Sequence, residues 1–371
     1  MEFFSGGGLV RLGLGQNWQC LLANDVDPIK CATYRENFGD HKLSEGDIHA
    51  LVPSNLPTQQ ADVMWGSFPC QDLSLAGARK GIRGSRSGTF FGFWNLFDEL
   101  QKNGRAPKII ALENVSGLLT SSSGKDFATI AKHIVNAGYH FGATLIDARS
   151  FVPQSRPRLF VFGFAPELVD LPTNIQTPYP TTPLNKALAA LPPDISQYLI
   201  SLPSAPARRT NMRLADMIDL DRGDWFAHDK TQTLIEMMAP AQHARLDALI
   251  NHRATRIGAG YRRTRHENSA RVQRFEARFD GLAGCLRTPA GGSSRQYVVA
   301  IEDGRVRIRF LSASEAARLM GINEDYKLPA SESAGLKLCG DGVCVPVVQW
   351  IAENIFEPAL NASALQEKAY A

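Results

Sequence analysis

Residues Phe3-Phe4-Ser5-Gly6-Gly7-Gly8-Leu9, continued by Val10-Arg11-Leu12-Gly13-Leu14, decide how this chain is read. A short apolar strand runs into three glycines, and the leucine-rich stretch beyond them opens a helix. Glycine in such a turn lets the backbone approach a ligand closely, and the helix start offers unpaired N–H groups. A second apolar run, Cys20-Leu21-Leu22-Ala23, ends in Asn24-Asp25-Val26-Asp27, so Asp25 follows Gly8 by 17 residues. An acid near this distance at the end of a second strand accepts hydrogen bonds from ribose hydroxyls in doubly wound nucleotide-binding folds. A third short element closes at Gly46-Asp47-Ile48 and adds another carboxylate to the same edge. The full dinucleotide fingerprint is absent, so an ordinary glycine turn with solvated, capping aspartates is the competing reading.

Working outward, Ala61-Asp62-Val63-Met64-Trp65 is a strand that leads into Gly66-Ser67-Phe68-Pro69-Cys70-Gln71. Pro69 fixes its own φ and has no N–H, which stiffens the backbone just before Cys70. A rigidly presented thiol at the carboxyl edge of a sheet suits covalent catalysis if nearby positive charge favours the thiolate. Most lone cysteines are small buried hydrophobes, so Pro-Cys alone leaves both roles open. Further on, Lys108-Ile109-Ile110-Ala111-Leu112 reads as a strand buried in a parallel sheet and terminates in Glu113-Asn114-Val115. The run Leu159-Phe160-Val161-Phe162-Gly163-Phe164 is another strand, preceded by Pro153-Gln154-Ser155-Arg156-Pro157-Arg158. The rigid Arg-Pro-Arg is expected to aim both guanidinium groups in a fixed direction.

In this order, these segments resemble the motifs of the DNA (cytosine-5) methyltransferases. Phe4-Ser5-Gly6-Gly7-Gly8 stands at the family's cofactor turn, Asp25 and Asp47 at its ribose- and adenine-binding acids, and Pro69-Cys70-Gln71 at its nucleophile. Glu113-Asn114-Val115 and Gln154-Ser155-Arg156-Pro157-Arg158 follow, and residues 314–321 and 340–346 resemble the last two motifs. The resemblance implies catalysis by Cys70, Glu113, Arg156 and Arg158. Arg158 would hold the base carbonyl, and Arg156 would contact the DNA backbone or the same site. It implies S-adenosylmethionine held by Phe4, Ser5, Gly6, Gly7, Gly8, Leu9, Asp25, Val26, Asp47, Ile48, Pro69, Gly342 and Val343, with no metal. The glycine-, serine- and arginine-rich stretch 74–88 is expected to cover the flipped base, with Ser74 and Arg86 touching DNA. Two departures stand out: Asp341 occupies a position where the family carries asparagine, and Val26 replaces an aromatic that some members stack on adenine.

The 371 residues, 44% hydrophobic, suffice for two domains. The expected fold is α/β, a doubly wound, mainly parallel, Rossmann-like sheet with a smaller target-recognition domain. The expected boundaries are 1–193 for catalysis and cofactor, 194–308 for target recognition, and 309–371 for a segment completing the catalytic domain. The proline-rich stretch 171–206 reads as a boundary or hinge. The net charge of +3 is unevenly spread: residues 208–309 hold 19 Lys and Arg against 12 Asp and Glu, and 18 of the 19 are arginine. Arginine suits bidentate contact with phosphate or guanine, and Arg287 and Arg295, flanking Gly291-Gly292-Ser293-Ser294, are the first candidates. No apolar run approaches the roughly 18 residues of a membrane span. The six cysteines show no paired framework or Cys-x-x-Cys spacing. The resemblance implies a monomer in the prokaryotic cytosol or nucleoid that acts on double-stranded DNA. A cognate restriction endonuclease would be a functional, not physical, partner. A tRNA cytosine-5 methyltransferase and an inactive DNA-binding homologue are the alternatives.

Overall fold

The computed structural model describes residues 1–69, 88–168, 182–207, 211–251, 255–267, 270–289 and 294–362. The chain divides into two compact units, Met1–Asp147 with Pro157–Pro206 and Val347–Ala371, and Ala148–Arg156 with Ala207–Pro346.

The first unit is built on a seven-stranded sheet of β1 (Glu2–Phe3), β2 (Ala23–Asp25), β3 (Leu43–Glu45), β4 (Val63–Gly66), β5 (Ile109–Val115), β6 (His140–Asp147) and β7 (Pro157–Phe164). Their order is β3-β2-β1-β4-β5-β7-β6. The pairings from β3 through β5 are parallel, and β7 enters antiparallel to both β5 and β6. Strands such as Ile109-Ile110-Ala111-Leu112 are continuously apolar because both faces are covered. The helices α1 (Leu9–Leu14) and α2 (Pro28–Phe38) follow β1 and β2 in the chain, and α3 (Thr89–Lys102) and α4 (Lys125–Asn136) cover one face of the sheet. Phe90, Phe93 and Phe97 of α3 and Phe127, Ile130 and Ile134 of α4 join Phe3, Met64 and Ile110 in one core. Phe93 meets Phe3 edge-on at 5.5 Å, and Gly66 makes room for it: a Cβ there would stand 2.9 Å from the Phe93 ring. Across the sheet, Trp65 and Phe162 meet Phe356, with ring centroids 6.2 and 5.6 Å apart.

The stretch expected as a hinge is packed where it is described. Its helix Pro183–Ala189 starts with proline at the first position and a Thr182 cap, and Leu184, Leu191 and Ile195 join the sheet's core. The Phe141 and Ile200 N–H groups donate to Tyr198 and Phe141 carbonyls. Residues 194–206 therefore belong to the first unit, while 148–156 and 309–346 belong to the second, which differs from boundaries at 193 and 308.

The second unit carries a four-stranded antiparallel sheet of β8 (Arg256–Glu267), β9 (Ala270–Arg278), β10 (Tyr297–Glu302) and β11 (Arg305–Phe310), in the order β11-β10-β8-β9. The helices His228–Glu236 and Pro240–Asn251 supply Leu234 and Leu246 to a core with Phe275, Tyr297, Val299 and Ile308. β10 pairs with β8 only over residues 256–260. Beyond them β8 and β9 run on as a two-stranded ribbon, 261–267 against 270–276. From β11, Arg309 forms an ion pair with Glu315, both side chains fully buried, 2.6 Å between Nη2 and Oε1.

Candidate active site

The glycine turn forms at the carboxyl end of β1. Gly6 and Gly8 take φ of 56° and 80°, and Phe4, which is not glycine, is held at φ 58°. Positive φ on an aromatic residue is sparsely populated and persists only where surroundings enforce it. The turn is tied down by Asp25 at the end of β2: its Oδ2 accepts the Gly6 N–H and its Oδ1 the Asp27 N–H, both at 2.8 Å. Gly8 is further required by packing, since a Cβ there would lie 2.5 Å from the Phe38 ring. Asn24, buried between these elements, donates from Nδ2 to the Ser44 and Gly46 carbonyls at 2.9 and 3.0 Å. This fixes the approach to Asp47, whose Oδ1 accepts the His49 N–H at 2.9 Å. Asn24 carries no sequence signal beyond its place next to Asp25.

Leu9 and Ile48 turn their side chains into the core, so only their backbone faces this edge, whereas Val26 is 66% exposed. Ser5 Oγ is buried and has no hydrogen-bond partner among the described residues. An unmet hydroxyl in a strained glycine turn, an exposed apolar Val26 and two carboxylates on one sheet edge fit a nucleoside cofactor. Gly7 and Pro69 complete the described part of this edge; Gly342 and Val343 lie in the second unit.

Glu113 lies near the carboxyl end of β5 and is buried, 7% exposed. β7 pairs Arg158 with Val115, two residues beyond Glu113 and therefore on the same face. The Arg158 Nε stands 3.1 Å from Glu113 Oε1, and its Nη1 donates to the Pro157 carbonyl at 2.9 Å. The intervening Asn114 donates from Nδ2 to the Phe68 carbonyl at 3.2 Å, which ties β5 to the segment preceding Cys70 in sequence. Cys70, Ser74 and Arg86 lie outside the described residues, as does most of the 74–88 stretch. Two other thiols, Cys31 and Cys339, are pushed up to about 12 by burial and supply no thiolate at neutral pH.

Arg156 corrects its expectation. It is 1% exposed, within the second unit, and donates to the carbonyls of Leu286 at 2.9 Å, Gly340 at 2.9 Å and Gly342 at 2.6 Å. Its guanidinium is enclosed by main-chain carbonyls and ties the stretches at Leu286 and 340–342 together, a structural role in place of the expected contact with the base or the DNA backbone. Gln154 works beside it: fully buried, it donates to the Leu319 carbonyl and accepts the Leu286 N–H. Asp341 accepts from the Thr288 hydroxyl. Arg287 is exposed, while the Arg295 guanidinium stacks on Phe310 at 4.1 Å from the ring centroid. Among the described residues no cluster suits a metal ion, and no helix is long and apolar enough to cross a membrane.

The mixed sheet with a glycine turn and acids on its carboxyl edge is a Rossmann-like α/β fold. The Dnmt2 methyltransferase of S. pombe superposes with a TM-score of 0.59 at 17% identity, covering 96% of this chain and 98% of that one. The family model for C-5 cytosine-specific DNA methylases matches residues 1–357, and the chain belongs to that family. The Type II methyltransferase M.BsuFI of Bacillus subtilis is 26% identical over 366 residues, 98% of this chain and 73% of its own length. M.HhaI of Haemophilus parahaemolyticus is 25% identical over 357 residues, 96% and 93% of the two chains.

Proposed function

We propose that the chain methylates C5 of cytosine at a specific sequence in double-stranded DNA, as the modification half of a restriction–modification pair. The observation that carries this is the Glu113–Arg158 pair at the carboxyl end of β5, with Asn114 tying that strand to the approach to Cys70. Cytosine C5 is a weak nucleophile. The Cys70 thiolate adds to C6, forming the S–C6 bond and moving the electron pair into an enamine that ends on C5. Glu113, hydrogen-bonded at N3, offsets the charge arriving on the ring, and Arg158 holds the base carbonyl. Their mutual pairing pre-orients both side chains before the base arrives. When bound, S-adenosylmethionine supplies the electrophilic methyl group that C5 takes up. A base then removes the C5 proton, the electrons return to expel the thiolate, and C5=C6 is restored. These atoms are shielded in a stacked duplex, so the reading includes extrusion of the target nucleotide.

Asp25, Asp47, Ser5 and the backbone of the glycine turn would hold the cofactor's nucleoside. The Type II names of the relatives support the link to a restriction endonuclease. The test is incubation with S-adenosylmethionine and duplex DNA containing 5-fluorocytosine, which after methyl transfer cannot release its C5 substituent as a proton. A denaturation-resistant protein–DNA adduct is expected from the wild-type chain and none from Cys70→Ser. An adduct of equal yield in the Cys70→Ser protein would overturn the mechanism, and methylation of tRNA but not duplex DNA would replace the substrate.

A further inference from the structure

We propose that the β8–β9 ribbon enters the DNA major groove with one particular face, and that Thr264, Gln273, His266 and Arg271 on that face read base edges. The inference rests on the reading of duplex DNA as the substrate. Cross-strand partners in an antiparallel ribbon share a face, so the register sorts the side chains into two sets. One face carries Arg263, Arg265, Arg274, Glu267 and Glu276. Arg265 lies 2.5 Å and Arg263 3.7 Å from Glu276, while the Arg274 Nε donates to Glu267 at 2.8 Å. Two ribbon carboxylates offset most of the charge of these three arginines and occupy their guanidinium groups, which weakens this face for phosphate and leaves it little capacity for a base.

The other face differs in every respect that matters. Thr264 pairs with Gln273 and His266 with Arg271, all four are exposed, and no acidic residue lies among them. Among the described residues, none of the four side chains makes a hydrogen bond or ion pair. Nearer the sheet the same face closes on Phe275, buried in the second unit's core, so the ribbon's base is anchored while its outer part projects. The ribbon's seven residues per strand span about 23 Å at about 3.3 Å each. A two-stranded ribbon fits the major groove, which is about 12 Å wide and displays a distinct pattern for every base pair. The deep, narrow major groove of A-form RNA does not admit it. Arginine pairs bidentately with guanine and glutamine with adenine, so Arg271 and Gln273 are assigned to a guanine and an adenine of the recognition site. The pattern shifts the search away from Arg295, whose guanidinium is stacked on Phe310.

The experiment uses the full chain, S-adenosylmethionine and a duplex library of random sequence, with methylated cytosines mapped by sequencing. Cofactor affinity and melting temperature of each variant report intact folding. Arg271→Ala is expected to relax discrimination at one G·C position by about 5- to 150-fold, and Gln273→Ala at a different A·T position by a similar factor. Arg265→Ala, on the acid-paired face, is expected to leave the methylated sequence unchanged. Wild-type discrimination retained in both Arg271→Ala and Gln273→Ala would overturn the assignment while leaving the substrate intact. Equal loss on all sequences would overturn it too, because it marks phosphate contacts. A wild-type chain that methylates no duplex would instead remove the substrate reading itself.

Discussion

Replacing Arg156 by methionine separates a structural arginine from a catalytic one. The side chain is 1% exposed and meets the Leu286, Gly340 and Gly342 carbonyls. Hydrogen bonds with a charged partner contribute about 1.5–3 kcal/mol each, and a buried carbonyl left unmet costs about 1–3 kcal/mol. These figures do not add fully, and methionine recovers some apolar contact where a desolvated cation stood. A net loss of about 3–5 kcal/mol is expected, the range for removing one side of a buried charged network. For a unit of this size each kcal/mol moves the melting point by about 2–4 °C, so the transition assigned to the second unit should fall by roughly 6–20 °C. Calorimetry of the whole chain reads the shift, and amide hydrogen exchange localises it to residues 338–343. A melting curve unchanged within about 2 °C, together with lost methyl transfer, would refute the reasoning and return Arg156 to the substrate.

Glu113→Gln keeps the shape of the side chain but weakens stabilisation at N3, so single-turnover methylation should fall by about 10²-fold or more while cofactor binding survives. An unchanged rate would leave Glu113 as no more than a counter-ion for Arg158. Asp25→Ala removes both the acceptor for ribose hydroxyls and the tether on the Gly6 N–H. Calorimetry without DNA should show weakened S-adenosylmethionine binding and a separate duplex titration little change, and equal cofactor dissociation constants would remove the assignment. Burial raises the Glu2 carboxyl from its ordinary 4.5 to about 8. The folded chain keeps that proton while the unfolded chain releases it, so this group lowers stability as pH rises from about 4.5 to 8. At about 1.4 kcal/mol per unit the effect reaches up to about 4 kcal/mol. Glu2→Gln should gain on the wild type by that amount between pH 5 and 9 in urea titrations, and a pH-independent difference would contradict it.

The parts of this architecture legible in sequence are those carried by local pattern. The strand Ile109–Val115 and the helix Leu9–Leu14 follow from apolar runs bounded by glycine or charge, and their ends place Glu113 and the turn. What stayed hidden depends on partners far along the chain. Asn24, Asn114 and Gln154 are neutral amides whose value lies in carbonyls 20, 46 and 165 residues away. Arg-Pro-Arg looks symmetrical as a string, yet Arg158 enters a strand while Arg156 is enclosed by main chain, because burial is set by the loops 285–288 and 340–342. The 171–206 stretch reads as a hinge from its prolines, although Pro183 starts a helix. The ribbon arginines look equivalent until the strand register assigns each to a face.

The nine residues 148–156 have a consequence for anyone recombining such proteins. The second unit is not one uninterrupted piece of chain: a strap lying between two strands of the large sheet belongs to it. Residues 207–346 transplanted alone would leave the Leu286, Gly340 and Gly342 carbonyls without Arg156, the Leu286 N–H without Gln154, and the Ala283 carbonyl without the Ser155 N–H. Chimeras meant to exchange target preference should therefore carry the strap along with its own unit, although no ribbon residue lies in it. Mismatched straps would produce poorly expressed hybrids whose failure has nothing to do with DNA.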